Sequence, residues 1–346
     1  MSAQMNVSAF AENMLASIHP ARGREGMGWS IERERIDEVL AGEYQVVREL
    51  GRGGMGVVFL ARDLVLQRLV AIKVLRHEFA ANEEWRERFR REARIKARLQ
   101  HPSIVPVHSF GEAVGERAGN QLPLCYLVMR YVQGESLAAR MDRDGALDAT
   151  ITRQILTDLA QALDYAHRDG IVHRDLKPEN VLLDRDTGRA MLTDFGVAYI
   201  RSLGPADGTA RLGEGPNVSV GTPAYMSPEQ CTGEPDLDGR SDLYALGVLG
   251  YQMLSGRLPF EASTYTAIAA MHVAVLPEAL QEKAPDADAT LVATIERCLE
   301  KQRARRPRTG AELCARLATS PSSWKFSFAS LAAKVAAAAL MLGVLS

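Results

Sequence analysis

The sequence is poor in features that mark several specialised classes of protein. Its 346 residues include only four cysteines, and these are scattered without a CxxC pair. That pattern argues against a disulfide framework or a cysteine-rich zinc site, and it suits a reducing cytosol. The formal net charge is −2, so no overall field favours nucleic acid or an acidic partner. Residues 1–14 lack the charged start and apolar core of a secretory signal, and we find no internal repeat.

The composition and the order of apolar patterns predict a two-lobed α+β domain. The apolar fraction of 47% and the charged fraction of 24% are ordinary for a soluble globular protein. From Tyr44 onward, short apolar runs punctuated by glycine indicate strands, with one helical stretch among them. After segment 134–137 the pattern becomes mainly helical as far as about residue 319. We therefore expect a small sheet with one helix, followed by a larger helical lobe.

A polar run lies between two apolar segments in Ile171–Asp184, which reads IVHRDLKPENVLLD. Burying polar groups is costly unless they have partners, so this run indicates a functional site. Pro178 interrupts helical continuation, and the run is therefore predicted to be a loop that turns Asp175 and Asn180 into one cavity. The polar residues of the run are His173, Arg174, Asp175, Lys177 and Asn180.

A glycine-rich stretch, LGRGGMGVVFLARD, spans Leu50–Asp63 between two predicted strands. Glycine lets the backbone approach a phosphate closely and leaves amide groups free to point at it. The stretch is not a Rossmann fingerprint, because a strand follows it, and it is not a Walker loop, because no GK[ST] ends it. On its own it fits either a phosphate-binding loop or a glycine-rich hairpin.

A lysine and a glutamate are predicted to face one apolar interior. In the strand RLVAIKVL, alternation places Lys73 on the same face as Ala71. Glu92 lies three residues from both Phe89 and Ile95, so it shares the apolar face of the following helix. A carboxylate there needs a cation, and we expect Lys73 to pair with Glu92 and to be held against an anionic ligand. The alternative is an edge lysine that reaches solvent.

Together these motifs resemble the signature set of the protein kinases. The glycine loop, VAIK, HRDLKPEN, DFG at 194–196 and SPE at 227–229 follow that family's order. In detail the chain resembles the bacterial serine/threonine kinases of eukaryotic (Hanks) type. The resemblance implies the bilobal protein-kinase fold over residues 44–318, with an N-lobe at 44–132 and a C-lobe at 133–318. Residues 1–43 would form an extension of unknown function.

The resemblance implies transfer of the ATP γ-phosphoryl group to serine and threonine hydroxyls of proteins. Asp175 would orient and deprotonate the substrate hydroxyl, and Lys177 would balance charge on the moving phosphoryl group. Asn180 and Asp194 would ligate Mg²⁺, for which Mn²⁺ could substitute. The alternatives are a pseudokinase that binds nucleotide or partners without transfer, and a small-molecule kinase of related fold.

The family pattern also implies a pocket for ATP. Leu50 and Val58 would cover the adenine from above and Leu182 from below, with Met129 as gatekeeper and Val132 at the hinge. The residues expected to bind nucleotide are Leu50, Gly51, Arg52, Gly53, Gly54, Met55, Gly56, Val57, Val58, Ala71, Lys73, Met129, Val132 and Leu182.

The resemblance also implies supporting contacts in the C-lobe. Glu229 would pair with Arg306, and Asp242 would brace the catalytic loop, which is the polar run of Ile171–Asp184 described above. For Arg306 and Asp242 the alternative is a solvated surface charge. His173 is expected to hold loop geometry rather than to shuttle protons.

The family pattern further suggests which hydroxyls accept phosphate and how the enzyme is controlled. Lys177 and the sequence GTPAY at 221–225 point to serine or threonine as acceptor. Thr222 would pack beside the catalytic aspartate. Arg174 would pair with a phosphate on the activation segment, which offers Thr209, Ser219 and Thr222. Ser219 or Thr209 is the expected site of autophosphorylation.

The end of the chain has a different character. Residues 326–346 carry almost no charge and are long enough to cross a bilayer as a helix. Lys334, however, lies near the middle, where a charge is costly. After a linker that starts at residue 319, this segment is therefore either a tail anchor on the inner face of the plasma membrane or a helix packed on the kinase domain or on a partner. The kinase domain itself is expected in the cytoplasm, with protein substrates and the chain itself as partners and no nucleic acid.

Overall fold

The computed structural model describes residues 36–117, 120–195 and 223–318. The first lobe is built on a five-stranded sheet with the order β1-β2-β3-β5-β4, in which all neighbouring strands are antiparallel. The strands are β1 (Tyr44–Arg52), β2 (Gly56–Asp63), β3 (Arg68–Leu75), β4 (Val107–Arg117) and β5 (Asn120–Arg130).

One long helix packs on this sheet. After the short α1 (His77–Ala80), α2 (Glu83–Arg98) begins at Asn82, whose side chain accepts a hydrogen bond from the Glu84 amide. The buried residues of α2 are Phe89, Glu92, Ala93 and Lys96. Their spacing of i, i+3, i+4 and i+7 defines one helix face. The predicted neighbour of Glu92, Ile95, is only half-buried.

The core of the first lobe extends beyond its sheet. Ile36 and Leu40 are buried together with Val46, Phe59 and Ile72. Burial of such side chains stabilises the lobe in proportion to the apolar area removed from water. The packed unit therefore includes residues that the sequence analysis assigned to the N-terminal extension.

The second lobe is mainly helical, as predicted. Its helices are α3 (Leu137–Asp144), α4 (Ala149–Arg168), α5 (Pro228–Cys231), α6 (Arg240–Ser255), α7 (Tyr265–Ala274), α8 (Leu280–Lys283), α9 (Ala289–Cys298) and α10 (Gly310–Ala318). Helix α6 is buried along nearly its whole length. It lies so close to α9 that a Cβ atom added at Gly247 would come within 2.6 Å of the Cys298 Cβ. Glycine is needed there for the two helices to approach.

A small sheet lies where the two lobes meet. It consists of β6 (Gly134–Ser136), β7 (Val181–Asp184) and β8 (Ala190–Leu192), all antiparallel. The 3₁₀ turn Pro178–Asn180 leads directly into β7. The predicted polar loop is thereby fixed at the edge of the cleft between the lobes.

Within the described ranges, no helix combines the length and apolar content needed to cross a bilayer. The apolar segment 326–346 lies outside these ranges.

Candidate active site

A cleft of about 860 Å³ separates the two lobes. It brings together the glycine loop, the strand lysine and the polar loop, which are far apart in sequence. The predicted catalytic and metal-binding residues all line it: Lys73, Glu92, Asp175, Lys177, Asn180 and Asp194. So do thirteen of the predicted nucleotide-binding residues: Leu50, Gly51, Arg52, Gly53, Gly54, Met55, Gly56, Val58, Ala71, Lys73, Met129, Val132 and Leu182.

Val57 is the exception among the predicted nucleotide-binding residues. Its side chain is 0% exposed and packs in the core of the first lobe with Val74 and Val128. Alternation along β2 causes this, because successive side chains of a strand point to opposite faces. Val58 faces the cleft, so the Val57 side chain turns away from it.

The glycine loop is a tight turn between β1 and β2. The Gly53 amide donates to the Gly56 carbonyl at 2.8 Å. A Cβ atom at Gly56 would lie 2.5 Å from the Val74 carbonyl oxygen, so a larger residue would push the loop away from β3. The loop therefore presents its backbone at the upper edge of the cleft.

An apolar slot forms the inner end of the cleft. Ala71, Val105, Met129, Val132 and Met191 are buried together there. Leu50, Val58 and Leu182 pack against them from the two lobes. A slot between two apolar layers suits a flat aromatic ring, because both faces of such a ring can be desolvated.

The predicted contact between Lys73 and Glu92 is present, and Lys73 has a second partner. Its Nζ lies 3.4 Å from Glu92 Oε1 and 2.7 Å from Asp194 Oδ1. Burial alone would lower the pKa of Lys73, but the charges of Asp194 and Glu92 outweigh it and raise the pKa above its ordinary value. The lysine is therefore charged and aimed into the cleft, and the edge-lysine alternative does not apply.

Lys96, which the sequence analysis did not single out, joins the same cluster. Its Nζ lies 2.6 Å from Glu92 Oε1 and 3.0 Å from Asp194 Oδ1. Burial would raise the pKa of Asp194, but Lys73 and Lys96 hold it well below its usual range. The signal was present in the sequence, since Lys96 lies four residues after Glu92 and seven after Phe89.

The catalytic loop holds three of the predicted residues in contact. Lys177 Nζ lies 2.9 Å from Asp175 Oδ2. The side-chain amide nitrogen of Asn180 (Nδ2) donates to the Asp175 carbonyl at 2.7 Å and to Asp175 Oδ2 at 3.1 Å. These bonds fix the carboxylate of Asp175 at the cleft while leaving it partly open to solvent, with 34% of its side chain exposed.

Asp242 braces this loop, as predicted. Its carboxylate accepts hydrogen bonds from the amides of His173 and Arg174, each at 2.8 Å, and lies 2.7 Å from His167 Nε2. Burial would raise the pKa of Asp242, but the contact with His167 and these bonds lower it. Arg174 adopts φ of 67°, a left-handed conformation that costs energy and needs such support.

His173 supports the loop from within. It is 0% exposed, and its Nε2 lies 3.1 Å from the Thr193 carbonyl, next to Asp194. Burial lowers its pKa, which favours a neutral ring that holds geometry.

The predicted pair of Glu229 and Arg306 is confirmed, at 2.7 Å and 2.9 Å for its two hydrogen bonds. Both residues are only 3% exposed, which removes the alternative of surface charges. A neighbouring contact was missed by the sequence analysis: the Gln230 side chain donates to the Arg174 carbonyl at 2.9 Å. The segment after residue 223 therefore supports the catalytic loop directly.

The predicted metal ligands have the right chemistry for Mg²⁺. The side-chain nitrogen of Asn180 donates to Asp175, so the side-chain amide oxygen is the atom that would bind a metal. Asp194 supplies a carboxylate. No cluster of three or more histidine, cysteine or acidic side chains that could hold a metal occurs among the described residues. One carboxylate and one amide suit Mg²⁺, which keeps several waters and takes other ligands from substrate phosphates.

Comparison with known proteins decides the family. A model of the protein kinase domain matches residues 44–316. The chain belongs to the protein kinase family. Among curated relatives, the serine/threonine-protein kinase pkn2 of Myxococcus xanthus is 40% identical to this kinase over 289 residues, which is 82% of the chain and 33% of pkn2. The serine/threonine-protein kinase PknA of Mycobacterium tuberculosis (strain ATCC 25177 / H37Ra) is 39% identical over 276 residues, 80% of the chain and 61% of PknA.

Solved structures agree with the fold of the kinase. The crystal structure of the Mycobacterium tuberculosis PknI kinase domain superposes with a TM-score of 0.58 and 32% identity, covering 80% of this chain and 95% of that one. The predicted bilobal fold and the predicted place among bacterial Hanks-type serine/threonine kinases are confirmed. The kinase spans a third of pkn2 and about three fifths of PknA.

Three predicted residues lie outside the described ranges of the kinase. They are Thr209, Ser219 and Thr222, which fall in the interval 196–222.

Proposed function

We propose that the kinase transfers the γ-phosphoryl group of ATP to serine and threonine hydroxyls of proteins, including its own. One observation carries this proposal. Lys73 and Asp194, which are 121 residues apart in sequence, meet at 2.7 Å in the cleft that Asp175 also lines. A cation for phosphate, a carboxylate for metal and a carboxylate for a hydroxyl are the parts that phosphoryl transfer requires.

In this proposal the nucleotide enters with its purine in the apolar slot and its phosphates under the glycine loop. Lys73, held by Glu92, neutralises phosphate charge. The protein-kinase family uses ATP and a divalent metal, and we assign Mg²⁺ to Asp194 and the amide oxygen of Asn180, with Mn²⁺ as a substitute. When bound, the metal neutralises charge that develops on the phosphate oxygens.

The transfer itself depends on two residues of the catalytic loop. Asp175 accepts the proton of the substrate hydroxyl as that oxygen forms a bond to the γ-phosphorus. The bond between the γ-phosphorus and the oxygen shared with the β-phosphate breaks, and ADP leaves with the electron pair. Lys177 stabilises the charge on the moving group, since its ammonium already lies beside Asp175.

The acceptor and the control of the enzyme are assigned from the family pattern. We propose serine or threonine as acceptor, and Ser219 or Thr209 as the autophosphorylated residue that pairs with Arg174. Mapping of phosphorylated sites after incubation with ATP tests this assignment. The assignment is contradicted if neither Ser219 nor Thr209 carries phosphate.

The decisive experiment compares self-phosphorylation of the wild type, Asp175→Asn and Lys73→Met with radiolabelled ATP. We expect label on the wild type only, because each variant removes one of the parts named above. A generic protein substrate is added in parallel, since its labelling separates a protein kinase from a small-molecule kinase. An unlabelled wild type that still binds nucleotide would favour the pseudokinase alternative.

The location of the kinase depends on segment 326–346. We propose a cytoplasmic kinase domain, and two arrangements for this segment are tested against each other: a tail anchor on the inner face of the plasma membrane, and a helix packed on protein. Cell fractionation compares the full chain with a chain ending at Ser323. Loss of membrane association only in the shorter chain supports the anchor, and identical behaviour removes it.

A further inference from the structure

The side chain of Lys96 is the least exposed member of the charged cluster in the cleft. It is 5% exposed, against 17% for Lys73 and 30% for Asp194. Removing an ammonium group from water is costly unless its partners repay it. Two family motifs, VAIK and DFG, account for Lys73 and Asp194, and the predicted pair with Lys73 accounts for Glu92, but none of these assigns a role to Lys96.

Lys73 and Lys96 contact the same two carboxylate oxygens, but each lysine lies nearer to a different one. Lys73 lies nearer to Asp194, at 2.7 Å against 3.4 Å for Glu92. Lys96 lies nearer to Glu92, at 2.6 Å against 3.0 Å for Asp194. Because Lys96 belongs to α2 and Asp194 to the second lobe, this ammonium group joins α2 to Asp194 without Lys73.

The backbone conformation of Asp194 needs contacts that hold it in place. Its φ is 51°, a left-handed conformation that a non-glycine residue keeps only when its surroundings hold it there. Both ammonium groups bind Asp194 Oδ1. A metal approaching this oxygen therefore meets two positive charges, which repel it at short range.

We propose that Lys96 is a positioning residue that clamps Glu92 and Asp194 together, so that Asp194 is set for the metal but must exchange an ammonium partner to bind it. This inference rests on the proposed function, because it takes Asp194 as the metal ligand. Lys96 thereby raises the Mg²⁺ concentration that nucleotide binding needs, and in return it holds α2 and Asp194 in the arrangement that transfer requires.

The test measures Mg²⁺-dependent binding of a fluorescent, non-hydrolysable ATP analogue to the full chain. We expect Lys96→Met to shift the Mg²⁺ midpoint down by about three- to tenfold, because one competing charge is lost. In the same variant kcat for a protein substrate should fall, since Asp194 and Glu92 are less well held. Lys96→Arg keeps the charge, and its midpoint should stay at or above that of the wild type, because a guanidinium exchanges partners less readily than an ammonium group.

The matched control is Arg94→Met, which removes a cation from the same helix. Arg94 is 67% exposed and pairs with Glu87 at 3.4 Å, away from the cleft, so neither midpoint nor kcat should change. Lys96→Gln provides a second neutral variant if Lys96→Met does not fold, as judged by circular dichroism.

The outcomes separate the two proposals. Nucleotide binding with an unchanged or higher Mg²⁺ midpoint in the folded neutral variant overturns the role of Lys96 alone. A Lys96→Arg protein that behaves like Lys96→Met does the same. A wild type that binds no nucleotide overturns the proposed function and, with it, this inference.

Discussion

Two buried ionic networks in the kinase differ in how their charges are held. In the scaffold network of the second lobe, Arg306 meets Glu229 with two parallel hydrogen bonds, and Ser241 donates to the same carboxylate at 2.6 Å. In the cleft network, Lys73 and Lys96 share the carboxylates of Glu92 and Asp194. A guanidinium fork fixes one geometry, whereas ammonium groups on flexible stems can exchange partners.

The two networks also differ in solvent exposure of their side chains. The Arg306 and Glu229 side chains are 0% and 4% exposed, while Asp194 in the cleft is 30% exposed. Arg306 also donates to the carbonyls of Glu300 and Lys301. The scaffold network therefore contributes to stability, and the cleft network keeps charge available for a ligand.

The largest effect is expected from Arg306→Met in the scaffold network. The substitution removes both hydrogen bonds of the guanidinium and leaves the buried Glu229 carboxylate only the more distant Arg303, at 3.8 Å, so we expect the free energy of unfolding to fall by about 3–5 kcal/mol. Urea denaturation of the full chain measures this loss. The matched control is Arg305→Met, because Arg305 is 59% exposed and lies 4.0 Å from Glu300. The control should change stability by less than about 0.5 kcal/mol, and equal losses in both variants would contradict the prediction.

Periodic patterns in the sequence predict part of the cleft network. Alternation in β3 and the helical period of α2 correctly brought Lys73 to Glu92. The same period also pointed to Lys96, but a lysine four residues after a glutamate is usually an exposed pair on a helix surface. Its burial is seen only in the folded chain, where Lys96 contacts Asp194 at 3.0 Å, a residue 98 positions away in sequence.

The supports of the catalytic loop were harder to predict. His167 and Asp242 are 75 residues apart and meet at 2.7 Å, and no local pattern encodes such a contact. Val57 stays a predicted nucleotide-binding residue, but strand alternation turns its side chain away from the cleft, so only its backbone is left to contact the nucleotide. Motif order therefore indicates the chemistry, and strand periodicity indicates which residues of the glycine-rich stretch turn their side chains toward the cleft.

A medium effect is expected from the pH dependence of His272. This ring is buried between Tyr244, at 2.9 Å, and the Ala224 carbonyl, at 3.1 Å, and burial together with the charge of Lys301 lowers its pKa to about 4. Between pH 6.5 and 4 the unfolded chain binds a proton that the folded chain does not. Stability should therefore fall as the pH falls through this window, by about 1 kcal/mol between pH 6.5 and 5.5.

The matched variant His272→Gln keeps a donor and an acceptor but does not titrate. Urea denaturation of both proteins between pH 7 and 5 isolates the histidine, because the other titrating groups are common to both. We expect the wild type to lose stability faster than the variant as the pH falls. Parallel curves would mean that His272 is not held neutral in the folded protein.

The smallest change in stability is expected from Lys73→Met, although this variant should lose phosphoryl transfer. Lys96 keeps its contacts with Glu92 and Asp194, and the partly exposed Asp194 can be hydrated where Lys73 was. We expect the free energy of unfolding to change by less than about 1 kcal/mol, measured by urea denaturation beside Arg306→Met. Because each lysine covers for the other, the double variant Lys73→Met/Lys96→Met should lose more than the sum of the single losses. A loss in Lys73→Met as large as that in Arg306→Met would show that the cleft carries the fold as the scaffold does, and the division between the two networks would then be wrong.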